Sequence, residues 1–109
     1  MSRIVEILEA GLGSIATIST APVTGAKTVS TTVAELFAGA SRLANRYAMT
    51  VYNEGTTPVY WGGSSSVTTS TGFPLLPGDS VTFNFNPSVA TPIYFIGSAN
   101  TAVRVVELA

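Results

Sequence analysis

The 109-residue sequence contains no histidine and no cysteine. Histidine is the side chain that most often acts as general base, proton shuttle or metal ligand near neutral pH. Without cysteine, disulfides and thiolate metal sites are also excluded. A Ser-His-Asp triad or a Cys-His pair therefore cannot be assembled. These absences predict a protein that is not an enzyme and uses no cofactor.

Charge is scarce as well. Only 10% of the residues are charged and the net charge is −1, whereas about 25% of residues are charged in an ordinary globular protein. The few cations are spread from Arg3 to Arg104, so no basic patch is expected to bind nucleic acid. The chain has no run of eighteen apolar residues, so no membrane partner is predicted. A surface so poor in charge gives little repulsion between molecules, which favours a protein held within an assembly.

Three weaker candidates for chemistry remain. The serines at 64–66 lack a neighbouring base, and Lys27 is predicted to lie exposed in a turn over residues 24–27. The carboxylates are scattered, although oxygens of Asn53, Glu54 and Asp79 could meet around calcium. No EF-hand-like spacing supports a calcium site. We therefore predict no metal site and give a small enzyme the lowest rank among the functional hypotheses.

The residues that are abundant favour strands. Serine and threonine make up 27 residues and valine and isoleucine another 18, and β-branched side chains suit a pleated sheet. Proline and glycine divide the chain into short runs. Strands are predicted over 28–37, 47–53, 58–61, 80–86, 92–97 and 101–108. We expect 47–61 and 92–108 to form hairpins within an all-β antiparallel sandwich, of jelly-roll or immunoglobulin-like type.

An N-terminal arm, residues 1–27, precedes this predicted domain of residues 28–109. Its apolar residues Ile4, Val5, Leu8 and Leu12 share one face if the segment is helical. The candidate helix, residues 2–12, has eleven residues, which is too few for a stable isolated helix in water. The arm is therefore predicted to be a short helix or an extended strand that packs on its own domain or docks on a neighbour, with these four residues as the partner-docking set.

The aromatic residues suggest a binding surface. Tyr52, Tyr60, Trp61 and Tyr94 could form a platform that stacks on sugar rings, with the 62–72 loop beside it. The competing interpretation is packing, since Trp61 shares a strand face with Val59. The tyrosines then point away from the core and are the better candidates for exposure. The hydroxyl-rich stretch 64–71 is interpreted as a loop whose serines and threonines hydrogen-bond locally.

Several segments follow one another in a suggestive order. An arginine-bearing connector, "SRLANR", precedes the alternating strand "YAMTVYNEG", and "VYWGG" returns from it. A Ser/Thr-rich loop leads to "GFPLLPGDS", and the chain ends in "VRVVE". Over residues 28–109 this order resembles a group of small tailed-bacteriophage virion proteins. The resemblance implies a β-sandwich on the particle exterior and supplies no catalytic residues.

Two functional hypotheses follow. The first is a virion structural protein, located on the phage particle as a capsid decoration or cement protein. Its partners would be the major capsid protein or other virion proteins, and it would be a homo-oligomer, with a trimer favoured. The second is a carbohydrate- or receptor-binding module of a tail or head fibre, with a host glycan on the aromatic platform.

Overall fold

The computed structural model describes residues 20–89 and 91–109, and all the regular structure in these residues is β. No helix in this part of the chain could cross a membrane. The strands, in chain order, are β1 Val23–Val29, β2 Ala34–Glu35, β3 Ala48–Asn53, β4 Val59–Gly62, β5 Phe73–Leu75, β6 Ser80–Asn84, β7 Tyr94–Gly97 and β8 Thr101–Leu108.

The strands form two antiparallel sheets of four. The first sheet has the order β1-β8-β3-β6 and the second has the order β2-β7-β4-β5. Every connection except β4–β5 crosses from one sheet to the other, which is the strand order of an eight-stranded jelly roll. The prediction of an all-β antiparallel sandwich is confirmed, and the order of the strands selects the jelly-roll alternative.

The core lies between the two sheets. Met49, Val51 and Val103 of the first sheet and Val59 of the second are fully buried. Strand β8 buries every second residue from Thr101 onward, as expected for a strand with one face on a core. The alternation predicted for 80–86 is also present, since Val81 and Phe83 pack against this core while their neighbours are exposed.

Both predicted hairpins are wrong. β3 pairs with β6 and β8, whereas β4 pairs with β5 and β7. β7 and β8 likewise belong to different sheets. A turn sequence between two strands indicates that the chain reverses, but it does not specify whether the second strand pairs beside the first or passes to the opposite sheet.

The first half of the chain also departs from the predicted boundaries. A single strand over 28–37 is wrong, because β1 ends at Val29 and β2 belongs to the second sheet. β1 begins at Val23 and pairs with β8 along its whole length, so the sheet starts before the expected domain boundary at residue 28. The 64–71 stretch does lie outside the strands, but the short strand β5 that follows it was missed.

Gly78 and Gly55 lie in turns between strands, and each turn needs its glycine for a different reason. Gly78 adopts φ of 85°, and the Asp79 amide donates to the Leu76 carbonyl at 3.0 Å, as in a turn that needs glycine at its third position. Gly78 is the one glycine with positive φ among the described residues. Gly55 instead leaves room for Thr101, because a Cβ there would lie 2.6 Å from its methyl group.

Candidate functional site

The four aromatic residues of the predicted platform do not lie on one surface. Tyr52 stands 43% exposed on the outer face of the first sheet, opposite Arg104 of β8. Trp61 points between the sheets, where its ring meets Phe83 edge-on at 4.8 Å. Tyr60 and Tyr94 lie on the outer face of the second sheet. The structure therefore separates Tyr52 from the other two tyrosines by the full thickness of the sandwich.

Tyr60 and Tyr94 do come together. They occupy adjacent strands, with Tyr60 opposite Ile96 and Tyr94 opposite Gly62. The loop after β4 folds back onto this face, since a Cβ on Gly62 would lie 2.9 Å from a methyl group of Val67, which is itself buried. Both tyrosines are half-buried, so this pair offers less open ring surface than the exposed Tyr52.

The hydroxyls of this loop bond to one another and to the loop backbone. Ser64 and Ser66 share a hydrogen bond of 2.6 Å, and Thr68 and Thr71 share one of 3.0 Å. The Thr68 hydroxyl also accepts from the amides of Ser70 and Thr71. The prediction that these hydroxyls serve local hydrogen bonding is confirmed.

A shallow groove lies beside Tyr52 on the outer face of the first sheet. It has a volume of about 480 Å³, within the range of small-molecule sites in proteins. Its lining includes Tyr52, Arg104, Thr24, Thr50, Ala26 and Val106. One aromatic ring, one cation, two hydroxyls and small apolar side chains thus meet at one place, which is a lining suited to a hydroxylated ligand with a flat apolar face.

Two surface ion pairs use charges that would otherwise be available. Arg42 donates to Glu35 at 2.7 Å, and Arg104 donates to Glu54 at 2.9 Å. The hydrogen bond that Arg42 donates to the Glu35 carboxylate raises the pKa of the Arg42 guanidinium further above its already high value. Exposed pairs of this kind contribute little to stability, about 0–1 kcal/mol each. Their effect here is to neutralise charge locally.

The third pair is buried. Arg46 and Glu107 are both fully inaccessible to solvent, with the guanidinium Nη1 2.5 Å from the carboxylate Oε2. Nη2 of Arg46 donates to the Thr91 carbonyl at 2.7 Å, and the guanidinium stacks on the Phe85 ring at 4.4 Å. Nε of Arg46 has no partner. A buried ion pair is costly to desolvate unless its remaining groups are also bonded, and this one is bonded at all but one atom.

Glu107 also holds the connector between β2 and β3. Its carboxylate accepts from the Ala38 amide at 3.0 Å and from the Leu43 amide at 3.4 Å. The sequence presents "SRLANR" and "VRVVE" as separate segments, but the second arginine of the first, Arg46, and the glutamate of the other, Glu107, form one contact. The pattern did carry a signal, because Glu107 shares its strand face with Val103 and Val105 and so has to point inward.

Lys27 was predicted to be exposed in a turn, and that prediction is wrong. It lies within β1 with its side chain on the core face, and it is half-buried. Its ammonium group donates to the Gly39 carbonyl at 2.6 Å and lies 5.0 Å from the centre of the Phe37 ring. Lys27 thus fastens the connector to the sheet edge, and it is not placed to activate the distant serines at 64–66.

Two of the three calcium candidates, Asn53 and Glu54, are bonded to other groups. The Asn53 side chain is buried and bonds to the Gly55 amide and to the carbonyls of Thr57 and Leu75. Glu54 pairs with Arg104. Within residues 20–89 and 91–109, no three acidic side chains approach one another closely enough to hold a metal ion. Asn53 therefore acts as a structural link between the end of β3 and β5.

Large apolar side chains are exposed at two places. Phe73 is the first residue of the short edge strand β5 and Leu76 follows its last residue; they are 65% and 51% exposed. Val89, 64% exposed, lies in the loop after β6. Phe73 also lies against Trp61, with the ring centres 5.5 Å apart. Phe73 therefore extends the packed aromatic rings of the core to the exposed edge strand β5.

The predicted docking residues Ile4, Val5, Leu8 and Leu12 lie outside the described residues. Comparisons with protein-family models, with curated proteins and with solved structures found no match to this chain. The resemblance to phage virion proteins therefore stays a prediction from the sequence.

Proposed function

We propose that this chain is a structural component of a bacteriophage virion, a capsid decoration protein bound to the exterior of the head. The observation that carries this proposal is the exposure of Phe73 and Leu76, three residues apart at the edge strand β5, on a domain that has a complete core of its own. Exposed large apolar side chains are normal singly, but grouped ones mark contact surfaces. A protein packed among neighbours in a shell would cover them.

The electrostatics of the described residues support the same proposal. Arg42, Arg46 and Arg104 each pair with a carboxylate of the same chain. A surface whose ionic groups are already matched offers little long-range steering toward a charged ligand, but it allows close approach of neutral surfaces. The jelly-roll fold adds support by analogy, since viral capsid proteins use it, as do lectins.

The attachment in this proposal is made through Ile4, Val5, Leu8 and Leu12, in the part of the N-terminal arm that precedes β1 in the sequence. The test uses phage heads that lack the protein, to which the full chain or a chain without residues 2–12 is added. We expect the full chain to cosediment with the heads and the shortened chain to remain free while keeping its β circular dichroism. A control variant, Glu6→Gln with Glu9→Gln, keeps the apolar residues and should bind.

The two parts of this proposal can fail separately. Normal binding of the shortened chain would exclude the arm as the attachment and leave the decoration role intact. If the full chain binds no phage head, the decoration role itself is wrong.

The groove beside Tyr52 favours a second candidate, a carbohydrate-binding module of a phage fibre. A sugar ring would stack on Tyr52 while its hydroxyls bond to Arg104, Thr24 and Thr50. Titration with host cell-wall polysaccharide, followed by tyrosine fluorescence, tests this. We expect saturable binding that Tyr52→Ala abolishes and that Tyr60→Ala, on the opposite sheet, leaves unchanged. The absence of a saturable response would exclude this candidate.

A further inference from the structure

Strand β6 forms one edge of the first sheet. It pairs with β3 on one side, and no strand of the described chain pairs with its other side. An edge strand presents a row of backbone donors and acceptors that can pair with another strand. The outer edge of β6 can therefore pair with a further strand.

The register shows which backbone groups face outward. The Asn53 amide donates to the Asp79 carbonyl, and the Phe85 amide donates to the Tyr47 carbonyl. Bonded and non-bonded residues alternate along an antiparallel ladder, so the odd-numbered residues of β6 face β3. The amides and carbonyls of Ser80, Thr82 and Asn84 then point away from the sheet.

This edge lacks the features that usually prevent strands from pairing. Natural edge strands carry charges, proline or bulges. β1, at the opposite edge, contains Lys27, and β5 contains Pro74. The side-chain amide of Asn53 also donates to the Leu75 carbonyl, which belongs to β5. β6 reads Ser-Val-Thr-Phe-Asn and has neither charge nor proline.

We propose that β6 is an interface between two copies of this chain, which pair antiparallel about a twofold axis at Thr82. In this register Thr82 faces Thr82 of the second copy, and Ser80 faces Asn84. These are the three residues whose backbone groups point outward, so the pairs that they form across the axis are of the hydrogen-bonded type. The two first sheets would become one continuous eight-stranded sheet.

The side chains fit the same arrangement. In this register position 82 faces its own copy across the axis, so a charge at position 82 would face a like charge. β6 has none. Its core-facing Val81 and Phe83 are only half-buried, and each would gain the other as a neighbour across the axis. Phe73 and Leu76, exposed on the adjoining edge of the second sheet, would be partly covered by the second copy.

The inference does not depend on the virion assignment, and it predicts twofold pairing in place of the favoured trimer. The first experiment is sedimentation equilibrium of the full chain from about 1 to 100 µM, a range typical of weak interfaces. We expect a monomer–dimer equilibrium. We also expect the amides of residues 80, 82 and 84 to exchange more slowly with solvent as the concentration rises.

Charge substitutions at Thr82 locate the axis. Thr82→Lys and Thr82→Glu each place like charges side by side, so each variant alone should dimerise about tenfold to a hundredfold more weakly. An equimolar mixture of the two should recover a heterodimer. Recovery by mixing cannot come from damaged folding, because each variant has to be folded to pair with the other.

Proline substitutions provide a backbone test with a matched control. Thr82→Pro removes an outward amide of β6, and Ala26→Pro removes an outward amide of β1 at the other edge of the same sheet. We expect loss of dimer in the first and the wild-type dimer in the second. A chain that stays monomeric at 100 µM would overturn the inference. So would a dimer indifferent to the Lys and Glu variants, or exchange protection at 80, 82 and 84 that is independent of concentration.

Discussion

Arg46 and Glu107 are the residues on which the connector between β2 and β3 most depends. The two charges neutralise each other out of contact with water. The same carboxylate holds two backbone amides of the connector. A single substitution here therefore removes several contacts and leaves a buried charge unpaired.

Glu107→Gln should lower the free energy of unfolding by about 3–5 kcal/mol, the usual cost of breaking a buried pair from one side. Urea denaturation measures this. Glu35→Gln, in the partly exposed pair with Arg42, should cost no more than about 1 kcal/mol. Adding Arg46→Met to Glu107→Gln should restore part of the lost stability, because the buried charge is then gone. Equal losses for the two single variants would contradict the role assigned to burial.

Gly78→Ala should destabilise the protein by about 1–2 kcal/mol, because a side chain is strained at a positive φ. Gly63→Ala is the matched control, since a Cβ there meets nothing within 4 Å. Thermal unfolding of the two variants compares them directly. A Gly78 variant as stable as the Gly63 variant would show that the turn rearranges without cost.

At the scale of elements, β1 is closely packed against the connector that follows β2. Gly25 faces the core side of β1, and a Cβ on it would overlap the Ala38 carbonyl oxygen. Ala38 is also bonded to Glu107, so the connector cannot easily withdraw. Lys27, two residues further along β1, bonds to Gly39. The edge strand and the connector thus depend on each other.

Gly25→Ala is expected to cost about 1–3 kcal/mol, as for other overpacked sites. It should also speed amide hydrogen exchange in β1. Gly39→Ala serves for comparison, because a Cβ there would sit in ordinary contact, 3.5 Å from a methyl group of Val23. If β1 exchanges at the same rate in both variants, Gly25 is not what determines the spacing.

The pairing of elements is where sequence-based prediction was weakest. The strand periods over 80–86 and 101–108 were predicted well, because one face of each strand packs on the core and the alternation is visible in the letters. The hairpins were not, because β3 and β4 lie in different sheets. The predicted aromatic platform placed side chains of β3, β4 and β7 on one surface, namely Tyr52, Tyr60, Trp61 and Tyr94. Because β3 lies in a different sheet from β4 and β7, Tyr52 is separated from the others.

On the scale of the whole molecule, the first sheet pairs its first strand in the sequence with its last. β1 pairs with β8, bringing Val23 opposite Glu107. Forming these contacts closes a loop that spans most of the chain. The entropy cost of closing this loop comes before the free energy gained by pairing the strands. The fold is therefore assembled mainly from non-local contacts.

Refolding is expected to take milliseconds to seconds, as for other domains rich in non-local strand pairing. Stopped-flow fluorescence can follow it through Trp61, the one tryptophan in the chain, whose ring contacts Phe83 of the opposite sheet. Relaxation in microseconds would mean that local contacts dominate the folding barrier.

The sequence alone determined the fold class, most strand positions and the poverty of reactive groups, because composition and period-two alternation are local properties of the letters. The tertiary structure decided which strands are neighbours, that Lys27 points inward, that Glu107 pairs with Arg46, and that Tyr52 faces away from Tyr60. Those outcomes depend on how the two sheets stack, and the free energy of stacking is shared among residues far apart in the chain.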